Sequence, residues 1–108
     1  MAFKLALTPT YKVKIVVNIP NEQGKFDQSD FMAEFLRCDF DRLNNLQEKS
    51  IAEVMHEMLI GWSGLVDSAG NELPYNEANK TALLKIPQAL ESLAHYYWSS
   101  IFKAREKN

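Results

Sequence analysis

Between Tyr11 and Ile19 apolar and polar residues alternate. Tyr11, Val13, Ile15, Val17 and Ile19 fall on one side and Lys12, Lys14 and Asn18 on the other. A period of two predicts a half-buried β-strand. Pro20, Asn21 and Gly24 interrupt the alternation and predict a loop that turns the chain back. From Ser29 to Cys38 the pattern has two readings. Phe31, Ala33 and Phe35 alternate as in a strand, whereas Ser29 or Asp30 is also suited to capping a short helix. The strand is the reading adopted, giving an antiparallel pair joined around Asn21 to Asp27. A lone pair is marginal and needs a packing partner.

The rest of the chain has helical spacing. Asp39 to Leu46 reads as a first short helix or the start of one. Ser50 and Glu53 have the spacing of a capping box. Ile51, Val54, Met55, Met58, Leu59 and Trp62 then recur at steps of three and four, which predicts one apolar helix face. Met55 and Met58 on that stripe are read as core. Gly61, Gly64, Asp67, Gly70, Asn71 and Pro74 predict a turn-rich connection. Asn76 is placed to cap a short helix whose apolar surface comes from Ala78, Ala82, Leu83 and Leu84, and Pro87 suits the first turn of another. In that last helix Leu90, Leu93, Ala94, Tyr97 and Ile101 form a stripe that Trp98 and Phe102 widen. The expected architecture is α+β: an N-terminal antiparallel β-strand pair packed against a C-terminal group of three to four helices, in one domain over residues 1–108.

The composition narrows the partners. With 46% hydrophobic and 24% charged residues the chain reads as an ordinary folded domain. A net charge of −2 offers no general attraction to phosphate backbones or anionic lipid, so neither nucleic acid nor membrane is expected as a partner. The small basic cluster Lys103, Arg105 and Lys107, interrupted by Glu106, reads as charge complementing a helix C-terminus. No stretch approaches the roughly 20 apolar residues of a membrane span. Met1 to Thr10 lacks the continuous apolar run of a signal peptide. Cys38, the single cysteine, has no second thiol to pair with, which suits a reducing compartment.

The candidate chemistry is sparse. Asp67 to Asn71 lacks the alternating ligands and distant glutamate of a calcium loop and reads as a tight turn. The dispersed glycines form no phosphate loop. Glu53 and His56 make one Glu-x-x-His spacing, on the polar side of their predicted helix, where di-iron bundles require two such pairs facing inward. Glu91 and His95 are one turn apart, the spacing of a surface pair, and Cys38 has no evident base. Neither an enzyme nor a cofactor nor a metal site is expected. The aromatic cluster of Tyr96, Tyr97, Trp98 and Phe102 is more informative, because adjacent residues on a helix cannot all face one core. Either Trp98 and Phe102 cover the strand pair, or they belong to a binding face, where Trp and Tyr are favoured.

The run Gly61-Trp62-Ser63-Gly64-Leu65-Val66-Asp67-Ser68-Ala69-Gly70-Asn71-Glu72-Leu73-Pro74-Tyr75-Asn76, with Asn79 and Leu83-Leu84 after it, resembles the central signature of phage tail assembly chaperones. The shared order is a helix, a Gly-Trp turn, an Asp and Gly turn, a Leu-Pro-aromatic step and a polar residue opening the next helix. Pro20 to Asp30 departs most from the family pattern. The resemblance implies a protein made in the cytoplasm of a bacterial host during infection or prophage induction. It would escort the tape measure protein, help recruit the major tail protein of the tail tube, and associate weakly with itself. The partner-binding candidates are Tyr96, Trp98 and Phe102, with Trp62 joining them only if the fold brings the Gly-Trp turn close. The alternative is a structural tail component, a terminator or connector subunit, that stays in the virion.

Overall fold

The computed structural model describes residues 1–106, with side chains through Phe102, so the basic cluster Lys103, Arg105 and Lys107 lies outside what is described of the side chains. Its order is β1 (Thr10–Pro20), β2 (Phe26–Leu36), α1 (Phe40–Gln47), α2 (Ile51–Met58), β3 (Leu59–Ser63), α3 (Glu77–Leu84) and α4 (Pro87–Glu106). The fold is α+β: an antiparallel sheet of order β1-β2-β3 with helices against one face.

β1 and β2 form the expected hairpin. Ile15 lies opposite Phe31, Val13 opposite Ala33 and Tyr11 opposite Phe35. This register puts Tyr11, Val13, Ile15, Val17 and Ile19 on one face with Phe31, Ala33 and Phe35, and a slip of one residue would expose them, while Val16 and Met32 lie on the other face. The loop is held by Asn21, whose side-chain oxygen accepts the backbone N–H groups of Gln23 and Lys25, each at 3.0 Å. Gly24 supplies the positive φ of 76° that the turn requires.

The third strand departs from the sequence-based expectation. The predicted helix from Ile51 through Trp62 stops at Met58, and Leu59–Ser63 joins the edge of β2. Leu59 and Trp62 fit the helical spacing, so periodicity alone cannot locate the break. Three features outside that spacing mark it. Leu59 takes extended dihedrals, with φ −82° and ψ 112°. Gly61 comes so close to β2 that a Cβ there would stand 3.1 Å from Glu34 Oε1. The carbonyls at the end of α2 are met by Lys80 from α3. Ile51 also leaves the predicted stripe and is exposed in the first turn.

The helix starts follow the sequence closely. Ser50 Oγ accepts the Glu53 N–H at 3.2 Å, and Asn76 Oδ1 accepts that of Asn79 at 2.8 Å. Asp39 caps α1 in the same way, through Arg42 at 2.8 Å. In α3, Leu83 and Leu84 are buried as expected, while Ala78 and Ala82 face solvent and Lys80 is buried instead. The core joins Ile15, Phe31 and Phe35 of the sheet to Val54, Met55 and Met58 of α2 and to Leu93 and Tyr97 of α4. Phe35 and Tyr97 meet ring to ring at 4.9 Å. Among the described residues no helix is long and apolar enough to cross a membrane.

Candidate partner-binding site

The last turns of α4 lie over the start of β1, where Tyr11 Oη and Ser100 Oγ are 2.8 Å apart. Beside this contact opens a groove of about 610 Å³. Its apolar walls are Leu7, Tyr11 and Val13 on the strand side, Phe40 and Leu43 from α1, and Ile101 from α4. Lys12, Arg37, Asp39 and Ser100 supply polar groups at its margin. Phe40 stands out because it is an aromatic residue at the first position of a helix, yet 73% exposed. Asp39 explains that placement: to cap α1 its backbone is extended, and the following side chain is turned outward.

Hydrogen bonds and ring contacts fix the walls. The Arg37 guanidinium lies 4.9 Å from the centre of the Tyr11 ring and donates to Thr8 O at 2.8 Å, tying the segment before β1 to the end of β2. Burial pushes the Tyr11 hydroxyl pKa above its ordinary value, with the Ser100 hydrogen bond opposing that rise. The Tyr97 hydroxyl is pushed up much further, first by burial and then by its contact with Cys38 Sγ at 3.7 Å. Cys38 is half-buried and lines the groove beside the Tyr97 hydroxyl. A phenol kept neutral in this way is a structural group.

The four aromatic residues singled out in the sequence do not form one patch. Trp98 and Phe102 stack at 6.3 Å with 17° between their planes, on the flank of α4 one step round from Tyr97 and Ile101. Trp98 also meets Tyr97 edge-on at 5.3 Å and packs against the core. Tyr96, on the opposite flank, is half-buried and contacts His95. Trp62 is on β3, at the far edge of the sheet from β1. There its indole N–H donates to Leu73 O at 2.8 Å and its ring meets Tyr75 at 4.9 Å. This pair pins the connection in which Asp67 Oδ1 accepts the N–H groups of Ala69 and Asn71.

None of these four lines the groove. Phe40, Leu43 and Leu7, which do, escape a search for aromatic clusters. Their signals are an apolar residue directly after a cap and an apolar alternation at Met1, Phe3, Leu5 and Leu7. Glu53 and His56 are both exposed on α2, as are Glu91 and His95 on α4. No group of three or more His, Cys, Asp or Glu side chains among the described residues is arranged to hold a metal ion.

The family model described as YdaY prophage protein matches residues 15–106. No curated protein and no solved structure gives a significant match. The match covers both halves of the fold and the α4 side of the groove, and the chain belongs to the YdaY prophage protein family.

Proposed function

We propose that this prophage protein is a tail assembly chaperone that binds the tape measure protein and helps recruit tail tube subunits, acting by binding and without catalysis. The observation that carries the reading is the open apolar groove between β1, the start of α1 and the end of α4, with Phe40 exposed at its mouth. An amphipathic helix laid into such a groove buries its apolar stripe while its polar face stays in water. A tape measure protein, long and helical by the resemblance to the chaperone family, offers many such stripes. Several copies of a weak binder on one long chain gain from multivalency without any single tight contact. The stacked Trp98 and Phe102 extend apolar surface along the same end of α4. The work would be done in the host cytoplasm, before the tail is complete.

The test is co-expression with the tape measure protein of the same prophage, read by pull-down and by the soluble fraction of the tape measure protein. Co-purification with rescued solubility supports the chaperone. A well-folded chain that neither binds nor rescues, and is found at fixed copy number in purified particles, would instead be a structural tail component.

A further inference from the structure

We infer that residues 1–8 are an exchanged strand: two copies of this chain pair across a two-fold axis, each adding its arm to the open edge of the other's β1. The arm carries Met1, Phe3, Leu5 and Leu7 at alternate positions with Ala2, Lys4, Ala6 and Thr8 between them, a period-two pattern. Yet it is unpaired and exposed at every residue, Phe3 by 82% and Leu5 by 90%. A row of large apolar side chains in water calls for a cover.

A tight two-residue turn cannot fold the arm back onto its own sheet. Folding back onto β1 would put Pro9 and Thr10 at the centre of a two-residue hairpin turn. The favoured turns of that length need positive φ at the first central residue, and proline fixes φ near −65°. The root of the arm is also held on the other side, because the Arg37 N–H donates to Pro9 O at 2.9 Å and Arg37 Nε to Thr8 O at 2.8 Å. The arm therefore leaves the sheet past its end.

The edge of β1 is suited to receive a strand. β1 is 11 residues long and terminal in the sheet. Since Pro9 directs its carbonyl to β2 and backbone groups alternate along an antiparallel strand, the odd residues face β2. Thr10, Lys12, Lys14, Val16 and Asn18 face the open edge. Thr8 Oγ1 donates to Thr10 O at 2.8 Å on that open side, a local bond that an incoming strand would replace. The missing N–H of Pro9 lies on the β2 side and costs the edge no donor.

Two constraints limit the register. Even residues must pair with even ones if the apolar odd side chains are to stay on the covered face. Lys4 must also avoid standing opposite Lys12 or Lys14. A two-fold axis at Thr10 meets both: Phe3 of one copy lies opposite Val17 of the other, Leu5 opposite Ile15 and Leu7 opposite Val13. On the outer face Lys4 meets Val16, Ala6 meets Lys14 and Thr8 meets Lys12. The contact is isologous and closed. The area is also sufficient. The chain exposes 7649 Å², whereas a folded monomer of its 12.4 kDa exposes about 6,100 Å². The excess is more than the roughly 800 Å² that each partner gives to a standard interface.

Sedimentation equilibrium of the full chain at micromolar concentration tests this. A dimer is expected. Lys14→Pro, which removes an N–H aimed at the edge, and the double variant Phe3→Asp/Leu5→Asp, which changes only exposed arm residues, should both be folded monomers by circular dichroism. In a Cys38→Ser background, Ala6→Cys/Lys14→Cys should cross-link between copies on mild oxidation. Directly paired residues of this kind are about 5.5 Å apart at Cα, within disulfide reach. Ala6→Cys/Asn18→Cys should not cross-link. A monomeric parent chain, a larger assembly, a dimer untouched by both the proline and the aspartate variants, or equal cross-linking in both cysteine pairs would each overturn the proposal.

Discussion

Lys80 Nζ lies 2.5 Å from the carbonyl oxygen of His56, although the two residues belong to different helices. The ammonium group also donates to Leu59 O at 3.0 Å and to Tyr75 Oη at 3.1 Å, and Lys80 is only 4% exposed. A helix C-terminus leaves carbonyls without partners and carries partial negative charge. Lys80 satisfies both demands where α2 ends and β3 begins, so a residue of α3 fixes a boundary that precedes it by a whole connection.

Lys80→Met keeps most of the apolar stem and removes the ammonium, leaving buried carbonyls with fewer donors. Hydrogen bonds to charged groups are worth about 1.5–3 kcal/mol. Thermal unfolding should therefore shift down by roughly 10 °C, taking about 4–8 °C per kcal/mol for a domain of this size. A shift below about 2 °C would mean that Tyr75, whose hydroxyl already donates to Leu59 O at 2.8 Å, carries the junction alone.

Trp62→Phe separates a structural tryptophan from a binding one. The change removes the indole N–H that meets Leu73 O and leaves an aromatic ring against Tyr75. Stability in urea should fall by about 1 kcal/mol, the usual worth of one such bond. Capture of the tape measure protein should be unchanged once the folded fraction is matched. A loss of capture in a fully folded variant would return Trp62 to the binding face.

Legibility in the sequence followed the range of the interactions. The caps at Ser50 and Asn76 and the Asp67 turn rest on neighbours a few residues apart, and each can be read from spacing alone, whereas the β1–β2 pair reaches from Thr10 to Leu36 and its second strand also admitted a helical reading. The end of α2 rests on Lys80 and on pairing with β2, both remote in sequence, and helical periodicity ran past it to Trp62. The groove is less legible still. It is assembled from residues 7 to 101, and none of its wall residues carries a motif. Tyr11 and Ile101 could be assigned to apolar stripes, but nothing in either stripe says that they share a wall. The aromatic flank of α4 was visible because its residues are consecutive, and the same closeness splits Tyr96 and Trp98 to opposite sides.

Alkaline pH should destabilise the fold through Tyr97. Its pKa is raised above the ordinary value near 10 when folded, so its contribution is fully present below that value. As pH climbs past 10 the unfolded chain loses the proton first, and stability falls until the folded phenol also ionises. The slope from one such group cannot exceed about 1.4 kcal/mol per pH unit. Tyr97→Phe should flatten the decline between pH 10 and 11 relative to the parent, measured by urea midpoints. Parallel declines in the two proteins would show that a group common to both, such as the half-buried Tyr11 hydroxyl, dominates instead.

Phe40→Asp and Trp98→Ala divide the groove from the aromatic flank. Phe40 is largely exposed, and an aspartate at the first turn of α1 complements the helix dipole, so Phe40→Asp should leave the thermal midpoint within about 2 °C. It nevertheless places a charge at the mouth of an apolar groove. If a helical stripe of the tape measure protein docks there, affinity should fall by at least about 30-fold, the scale of losing a central anchor of about 2 kcal/mol. Trp98 packs on Tyr97 and against the core, so Trp98→Ala should lower stability by about 1–2 kcal/mol as well as weakening capture. Surface plasmon resonance with folded variants ranks the two surfaces. A large loss at Phe40 with a small one at Trp98 assigns docking to the groove, with the Trp98–Phe102 stack as its border. The reverse order assigns it to the stack, and the groove is then no more than a gap between elements. No loss at either position, in variants that remain folded, removes both surfaces from the binding of this partner.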